Sequence, residues 1–225
     1  MPTLYLPKSV LCYVTDRRSL APQPTAGQAT FASLLETISA AATAGVDWIQ
    51  IREKDLEARE LAELSALAVR ACRGTTARVI VNDRLDVAFA APAGGAHLGE
   101  SSLPVAEARR LIEARRKTRE GEFLVGVSCH STVSARTAAE GGADYIFFGP
   151  IFPTPAKAAF GAPQGLARLA EVCRAVHVPV LAIGGITAEN AAACWECGAA
   201  GIAAIRLFQE SAQLATSIAQ LRALR

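Results

Sequence analysis

Gly141-Gly142-Ala143-Asp144-Tyr145-Ile146-Phe147-Phe148-Gly149-Pro150 contains the repeating element of the fold in one stretch. A glycine pair ends a helix, a small residue and an aspartate lead in, four residues of high strand propensity follow, and Gly-Pro stops them. Working outward, related lead-ins recur at Ala44-Gly45-Val46-Asp47, Gly94-Gly95-Ala96 and Gly198-Ala199-Ala200-Gly201. Short apolar runs at 11–14, 48–51, 78–81, 96–98, 123–127, 145–148, 180–183 and 201–205 predict eight strands. Between them, Leu61, Leu64, Ala68 and Cys72 share one helical face, as do Val105, Ala108, Leu111 and Ile112, and Leu166, Leu169, Cys173 and Val176. Helix starts are expected at Pro104, at Ser131-Thr132 and at Thr187. Alternation of this kind predicts an α/β fold, a closed (β/α)8 TIM barrel, with an open doubly wound sheet as the alternative.

At 225 residues, 51% hydrophobic and 20% charged, the chain has apolar material for one sizeable core and reads as one domain over residues 1–225. Its 23 basic and 21 acidic side chains leave a net charge of +2, so no overall field favours nucleic acid or an anionic membrane. The first ten residues carry Pro2 and Pro7 without a long apolar run, so they do not read as a signal peptide. No stretch approaches the roughly eighteen uninterrupted apolar residues of a membrane span, and a cytoplasmic protein is expected. Cys12, Cys72, Cys129, Cys173, Cys194 and Cys197 are too sparse for a disulfide framework and are expected to be reduced and mostly buried. Cys194-Trp195-Glu196-Cys197 has redox spacing, but its helical pattern points to packing.

In a barrel, function belongs where strands end, and the polar residues gather there. The second strand ends Gln50-Ile51-Arg52-Glu53-Lys54, where alternation sends Gln50, Arg52 and Lys54 to one side, a set suited to an anionic substrate. The competing reading is an ion-pair network with Glu53 and Asp55. Asn82-Asp83 ends the third strand, where Asp83 suits either Mg²⁺ shared with substrate phosphates or a helix cap. The fifth ends Ser128-Cys129-His130, a hydroxyl for substrate and an imidazole for acid–base work. A Cys–His nucleophile pair is not expected from neighbours in sequence, and His97 and His177 read as structural. The long segment from Gly149 to Pro163 reads as a lid carrying Thr154 and Lys157. Gly184-Gly185 opens the backbone to an anion, with Ile205 and Arg206 beside it; a surface pair with Glu210 is the alternative for Arg206. No Walker loop, G-x-G-x-x-G or H-E-x-x-H occurs.

Taken together, Tyr13-Val14-Thr15-Asp16, Gln50 to Lys54, Val81-Asn82-Asp83-Arg84, His97-Leu98-Gly99, Gly126-Val127-Ser128, Ala143-Asp144-Tyr145 through Pro153-Thr154, Lys157 and Ala182-Ile183-Gly184-Gly185-Ile186 resemble the thiamine phosphate synthases and their relatives, the thiazole tautomerases. The resemblance implies a (β/α)8 barrel. It implies a transferase of thiamine biosynthesis that joins hydroxymethylpyrimidine diphosphate to thiazole phosphate, releasing pyrophosphate, with Mg²⁺ on the leaving group and a pyrimidine carbocation captured by the thiazole nitrogen. Gln50, Arg52, Lys54, Asn82, Ser128 and Lys157 would then hold the pyrimidine diphosphate and Asp83 the metal. Thr154, Gly184 and Gly185 would hold the thiazole phosphate, with Ile205 and Arg206 in the same pocket; Lys157, Ser128 and His130 are the catalytic candidates.

Three positions depart from the family pattern. Ser102 stands where a second Mg²⁺ carboxylate is expected, with Glu100 nearby as a substitute; Ala156 replaces a lid threonine, and Arg206 a serine. The alternative function is a metal-independent thiazole tautomerase using His130, and a third is a non-catalytic regulatory paralogue that binds thiazole or pyrimidine phosphates. Partners are expected to be these small molecules, with a homodimer by family analogy.

Overall fold

The computed structural model describes residues 9–20, 31–115, 121–154, 162–211 and 213–224. Eight strands, β1 (Val10–Val14), β2 (Trp48–Ile51), β3 (Arg78–Asn82), β4 (Gly95–Leu98), β5 (Leu124–Cys129), β6 (Tyr145–Phe148), β7 (Val180–Ile183) and β8 (Gly201–Ala204), pair in chain order, all parallel, and β8 returns to β1. The barrel is closed, as the alternating pattern predicts, and the open sheet is excluded. β3 extends through Asn82 and β5 through Cys129, so residues expected at the strand ends still lie on the ladder.

Outside the barrel lie α1 (Ala32–Ala44), α2 (Ala58–Ala71), α3 (Leu85–Ala90), α4 (Val105–Ala114), α5 (Thr132–Glu140), α6 (Gly165–Ala175), α7 (Ala191–Glu196), α8 (Arg206–Gln209) and α9 (Leu214–Ala223). α2 buries Leu61, Leu64 and Ala68 as expected, with Cys72 buried at its cap. α4 buries only Ala108 and leaves Leu111 half exposed, so the expected four-residue face is narrower than its spacing suggests. Ser131 caps α5 reciprocally: its Oγ accepts from Ser134 N–H, and Ser134 Oγ accepts from Ser131 N–H. Thr187 starts no helix; a turn intervenes, Thr187 N–H donates to Asn190 Oδ1 at 2.9 Å, and α7 begins at Ala191. All six cysteines are free, and burial pushes the Cys194 thiol up to about 12, as packing rather than redox chemistry requires. Among the described residues no helix is long and apolar enough to cross a membrane.

The aspartate of the lead-in has a structural purpose. Asp47 Oδ2 accepts Leu11 N–H of β1 at 2.7 Å and the Arg222 guanidinium at 2.6 Å, while Arg222 also donates to Gly45 O at 2.9 Å and to Ser9 O. Asp144 repeats the device: Oδ2 accepts Val125 N–H of β5 at 2.7 Å and Arg109 at 2.6 Å, and Arg109 Nε reaches Gly142 O at 2.8 Å. Each carboxylate satisfies a strand-end donor that the ladder leaves without a partner, and each arginine ties that carboxylate to its preceding turn.

Period-two alternation splits every strand between two cores. Residues facing the helices form one; Val10, Cys12, Val14, Trp48, Ile80, Leu124, Tyr145, Phe147, Leu181 and Ala203 form the other, inside the barrel. Large interior rings need empty neighbours: a Cβ on Gly126 would overlap Cζ of Tyr145. His97 sits among these rings at 1% exposure, 4.2 Å from Phe147 centre to centre, with Nδ1 3.2 Å from the Tyr145 hydroxyl. Burial first, and the nearby Arg52 charge second, lower its pKa from 6.5 to about 3.

Two outcomes follow. Asp47→Ala, which leaves Leu11 N–H and Arg222 without their acceptor, lowers unfolding stability by about 2–3 kcal/mol in urea titration. The unfolded chain takes up a proton on His97 near pH 6.5 and the folded chain only near 3, so His97's stabilisation is complete above pH 6.5 and is lost as pH falls toward 3. The slope is ~1.4 kcal/mol per pH unit, and His97→Gln, followed by denaturation between those limits, shows a correspondingly shallower acid loss. An unchanged slope would show that His97 ionises freely in the folded state.

Candidate active site

The carboxyl ends of the strands open on a cavity of about 400 Å³. Gln50, Arg52, Asn82, Ser128, His130, Thr154, Gly184, Gly185, Ile205 and Arg206 all line it, so most of the expected set comes together. Lys54 and Asp83 are not in the lining, and Lys157 and Ala156 fall outside the described residues. Lys54 misses because β2 stops at Ile51: strand alternation no longer applies three residues later, where it is exposed in a turn.

Gln50 is 2% exposed on β2. Its Nε2 donates to Asn82 Oδ1 at 2.9 Å, but among the described residues its Oε1 has no hydrogen-bond partner. Gln50 lines the cavity, and a buried acceptor without a protein donor beside it calls for one from a ligand. Arg52 follows as the chain leaves the strand, its N–H held by Thr15 Oγ1 at 2.9 Å, while that hydroxyl donates to Glu53 Oε1 at 2.7 Å. Glu53 is 4% exposed and also accepts the Arg17 N–H and guanidinium, both at 3.1 Å. Arg17 continues to Asp55 at 2.6 Å, and Arg18 joins it at 2.8 Å; the Arg17 hydrogen bond holds the Asp55 carboxyl well below the usual range. The ion-pair network anticipated around Glu53 and Asp55 therefore exists, but Arg17 and Arg18 make it. Among the described residues Arg52 forms no ion pair and keeps its charge for the cavity.

Asp83 stands just beyond β3 at φ 65, with Arg84 N–H donating to Asn82 O at 2.8 Å across it. This left-handed γ-turn is strained for a non-glycine residue, and such strain gathers at functional positions. Asp83 Oδ1 accepts the Ser102 hydroxyl, so the two positions the resemblance assigns to metal binding are in contact. Glu100 turns elsewhere: its Oε2 lies 2.9 Å from His130 Nδ1. Burial raises its pKa, but hydrogen bonding with Ser134 and His130 outweighs this and holds it low. Among the described residues no group of three or more His, Cys, Asp and Glu side chains is arranged around a metal position.

Segment 149–154 runs beside the loop after β7. Ile151 N–H bonds Ile183 O at 2.9 Å and Phe152 N–H bonds Gly184 O at 3.0 Å. Gly184 and Gly185 have φ 94 and 68, and a Cβ on them would come within 2.5 Å of Pro150 Cβ and 2.6 Å of Pro153 O. The diglycine is thus required by this close crossing as well as being placed on the cavity wall. Arg206 opens α8, exposed; Glu210 returns only its backbone N–H to Arg206 O, so the side-chain pair with Glu210 that the alternative reading offers does not form.

Sequence reasoning missed Asp16, Ser19 and Phe147 among the lining residues. Gln209 organises the first two, donating to Asp16 O at 2.6 Å and Ser19 Oγ at 2.8 Å. Asp16 lies within Tyr13-Val14-Thr15-Asp16, a motif that by itself assigns it no role, and Gln209 offers no signal at all at its sequence distance. Cys129 lines the cavity with its thiol pushed by burial up to about 12, so it supplies no thiolate. The wall therefore offers guanidinium charge, an open amide acceptor and hydroxyls, but no activated thiol: equipment for holding and polarising phosphate-bearing ligands.

Comparison with known proteins agrees with this geometry. A thiamine-phosphate synthase of Roseiflexus castenholzii is 39% identical over 198 residues, 88% of this chain and 80% of its own length. One from Methanoculleus marisnigri is 45% identical over 165 residues, 73% of this chain and 75% of its own. The solved thiamine phosphate pyrophosphorylase of Pyrococcus furiosus superposes with a TM-score of 0.79 at 31% identity, over 96% of this chain and 95% of that one. Residues 24–208 match the family described as thiamine monophosphate synthase, and the chain belongs to that family.

Proposed function

We propose that the protein is a thiamine-phosphate synthase-like transferase, joining hydroxymethylpyrimidine diphosphate to thiazole phosphate with release of pyrophosphate. The observation that carries this reading is the unpartnered, buried Oε1 of Gln50, a residue lining a cavity that is also lined by Arg52 and Arg206, neither of which has an ion-pair partner among the described residues. An aminopyrimidine supplies the donor that Gln50 lacks, and its diphosphate matches Arg52. Arg206, just beyond β8 and beside the diglycine loop that follows β7, suits the second substrate's phosphate, where the family pattern has a serine.

The reaction breaks the bond between the pyrimidine methylene carbon and the diphosphate oxygen, and the thiazole nitrogen forms the new bond to that carbon. Such a step needs charge stabilisation on the departing group more than a nucleophile from the protein. Arg52 neutralises the leaving diphosphate, Ser128 donates to it, and Gln50 with Asn82 holds the ring in place. Asp83 and the Ser102 hydroxyl beside it fit a Mg²⁺ ion carried largely by the substrate's diphosphate, since this ion is commonly held by one carboxylate plus phosphates. Bound there, the ion would add positive charge at the leaving group. The six free thiols suit a cytoplasmic setting.

A second reading rests on one contact, His130 Nδ1 on Glu100, because a carboxylate-oriented imidazole on a cavity wall is equipped for proton transfer in an isomerase of the thiazole branch.

Incubation with both substrates and Mg²⁺ yields thiamine phosphate, read as its fluorescent oxidised product, and EDTA stops it. Arg52→Ala lowers kcat/KM by about a hundredfold, and Asp83→Ala removes the response to added Mg²⁺. Absence of product, together with metal-independent isomerisation of thiazole carboxylate phosphate that His130→Ala abolishes, would replace the transferase by the second reading.

A further inference from the structure

His97, Gly126 and Tyr145 occupy one row across β4, β5 and β6, His97 opposite Gly126 and Gly126 opposite Tyr145. Because Gly126 has no side chain, and a Cβ there would overlap the Tyr145 ring, the histidine and tyrosine meet across the middle strand with Nδ1 and hydroxyl 3.2 Å apart. The other imidazole nitrogen, Nε2, lies 2.9 Å from Oγ of Ser128, two residues further along β5 and on the cavity wall. A continuous chain thus runs from a tyrosine sealed in the barrel to a hydroxyl facing ligand.

The chain has a direction. Among the described residues the Tyr145 hydroxyl has His97 Nδ1 as its hydrogen-bond partner, and at 1% exposure it is sealed from bulk solvent. Burial keeps the phenol protonated and the imidazole neutral. A buried hydroxyl donor left without an acceptor is costly, so Tyr145 donates to Nδ1. A neutral imidazole carries one proton, which must then sit on Nε2 and point at Ser128 Oγ. Ser128 accepts there, and its own proton is left for the cavity.

We propose that Tyr145 and His97 are positioning residues that fix the polarity of Ser128, making it a dedicated donor to an anionic oxygen of the substrate. The reverse polarity, Ser128 donating to Nε2, would turn an oxygen lone pair toward the phosphate and repel it. The identity of that anionic oxygen, on the diphosphate, rests on the transferase reading; the direction of the chain does not.

The full-length protein, ¹⁵N-labelled, tests the direction first. It has three histidines, and His97→Gln assigns the signal. His97 is expected to show a protonated Nε2 and a bare Nδ1 from about pH 5 upward, well above its folded pKa; a protonated Nδ1 overturns the proposal. Calorimetry with inorganic pyrophosphate then tests the consequence. Ser128→Ala is expected to weaken binding about tenfold and Tyr145→Phe several-fold. In the Ser128→Ala background Tyr145→Phe is expected to change nothing, because its effect acts through that hydroxyl. Equal losses in both backgrounds would mean a merely structural tyrosine and overturn the proposal. Should Tyr145→Phe fail to fold, the wild-type tautomer still decides. Wild-type protein with protonated Nε2 that binds no pyrophosphate supports the chain's direction and counts against the transferase reading.

Discussion

Eight short strands closing on themselves leave a barrel interior in which every inward side chain competes for the same narrow space. The rest of the structure depends on how that space is shared. Trp48, Leu124, Tyr145 and Phe147 fill it, and Gly126 yields to the Tyr145 ring; elsewhere the strands themselves approach closely, a Cβ at Gly95 running into Leu124 O and one at Gly201 into Val10 O. The result is a dry floor under the cavity. On that floor His97 stays neutral, and the Tyr145 hydroxyl has no recourse to solvent. Packing and site chemistry are therefore one problem here: the glycine that admits the tyrosine ring also brings it to the histidine.

Charge is distributed with the same economy. At the amino ends of the strands Asp47 and Asp144 are matched by Arg222 and Arg109, each pair closing a strand-end donor and a turn carbonyl. At the carboxyl ends the acids of the β2 loop are taken by Arg17 and Arg18. The cations that line the cavity without an ion pair among the described residues are Arg52, just beyond β2, and Arg206, just beyond β8. The net charge of +2 hides this separation, because it sums paired structural charges with the few left free for a ligand.

The strands were legible because parallel strands in a barrel are buried on both faces and read as nearly unbroken apolar runs. All eight lie where those runs predict, with ends shifted by at most two residues. Helix faces were less legible: Leu111 has the spacing of a core residue but lies on a helix of ten residues that sits shallowly on the barrel. At the site, residues still on the ladder or at its immediate end, such as Gln50, Asn82 and Ser128, obeyed alternation. Lys54 did not, because alternation ends with the strand. The partner of Glu53 was unreadable because Arg17 arrives from a different loop, and the role of His97 was hidden because it needs Gly126 and Tyr145 as neighbours, a fact of register rather than local pattern.

The cavity's donors and acceptors weigh unequally on the two candidate chemistries. Proton transfer within a thiazole asks for one well-oriented base, and His130 with Glu100 supplies that from the half-exposed rim. It leaves Gln50's open acceptor, Arg52's charge and the inward polarity of Ser128 without a task, although each requires burial or loss of a partner to maintain. Departure of a diphosphate uses all three at once: a ring held by an amide, an anion met by a guanidinium, and a hydroxyl whose proton is aimed at the oxygen gaining charge. Features that cost folding free energy and stand together on one wall are best explained by the reaction that employs them together, and that reaction is the transfer.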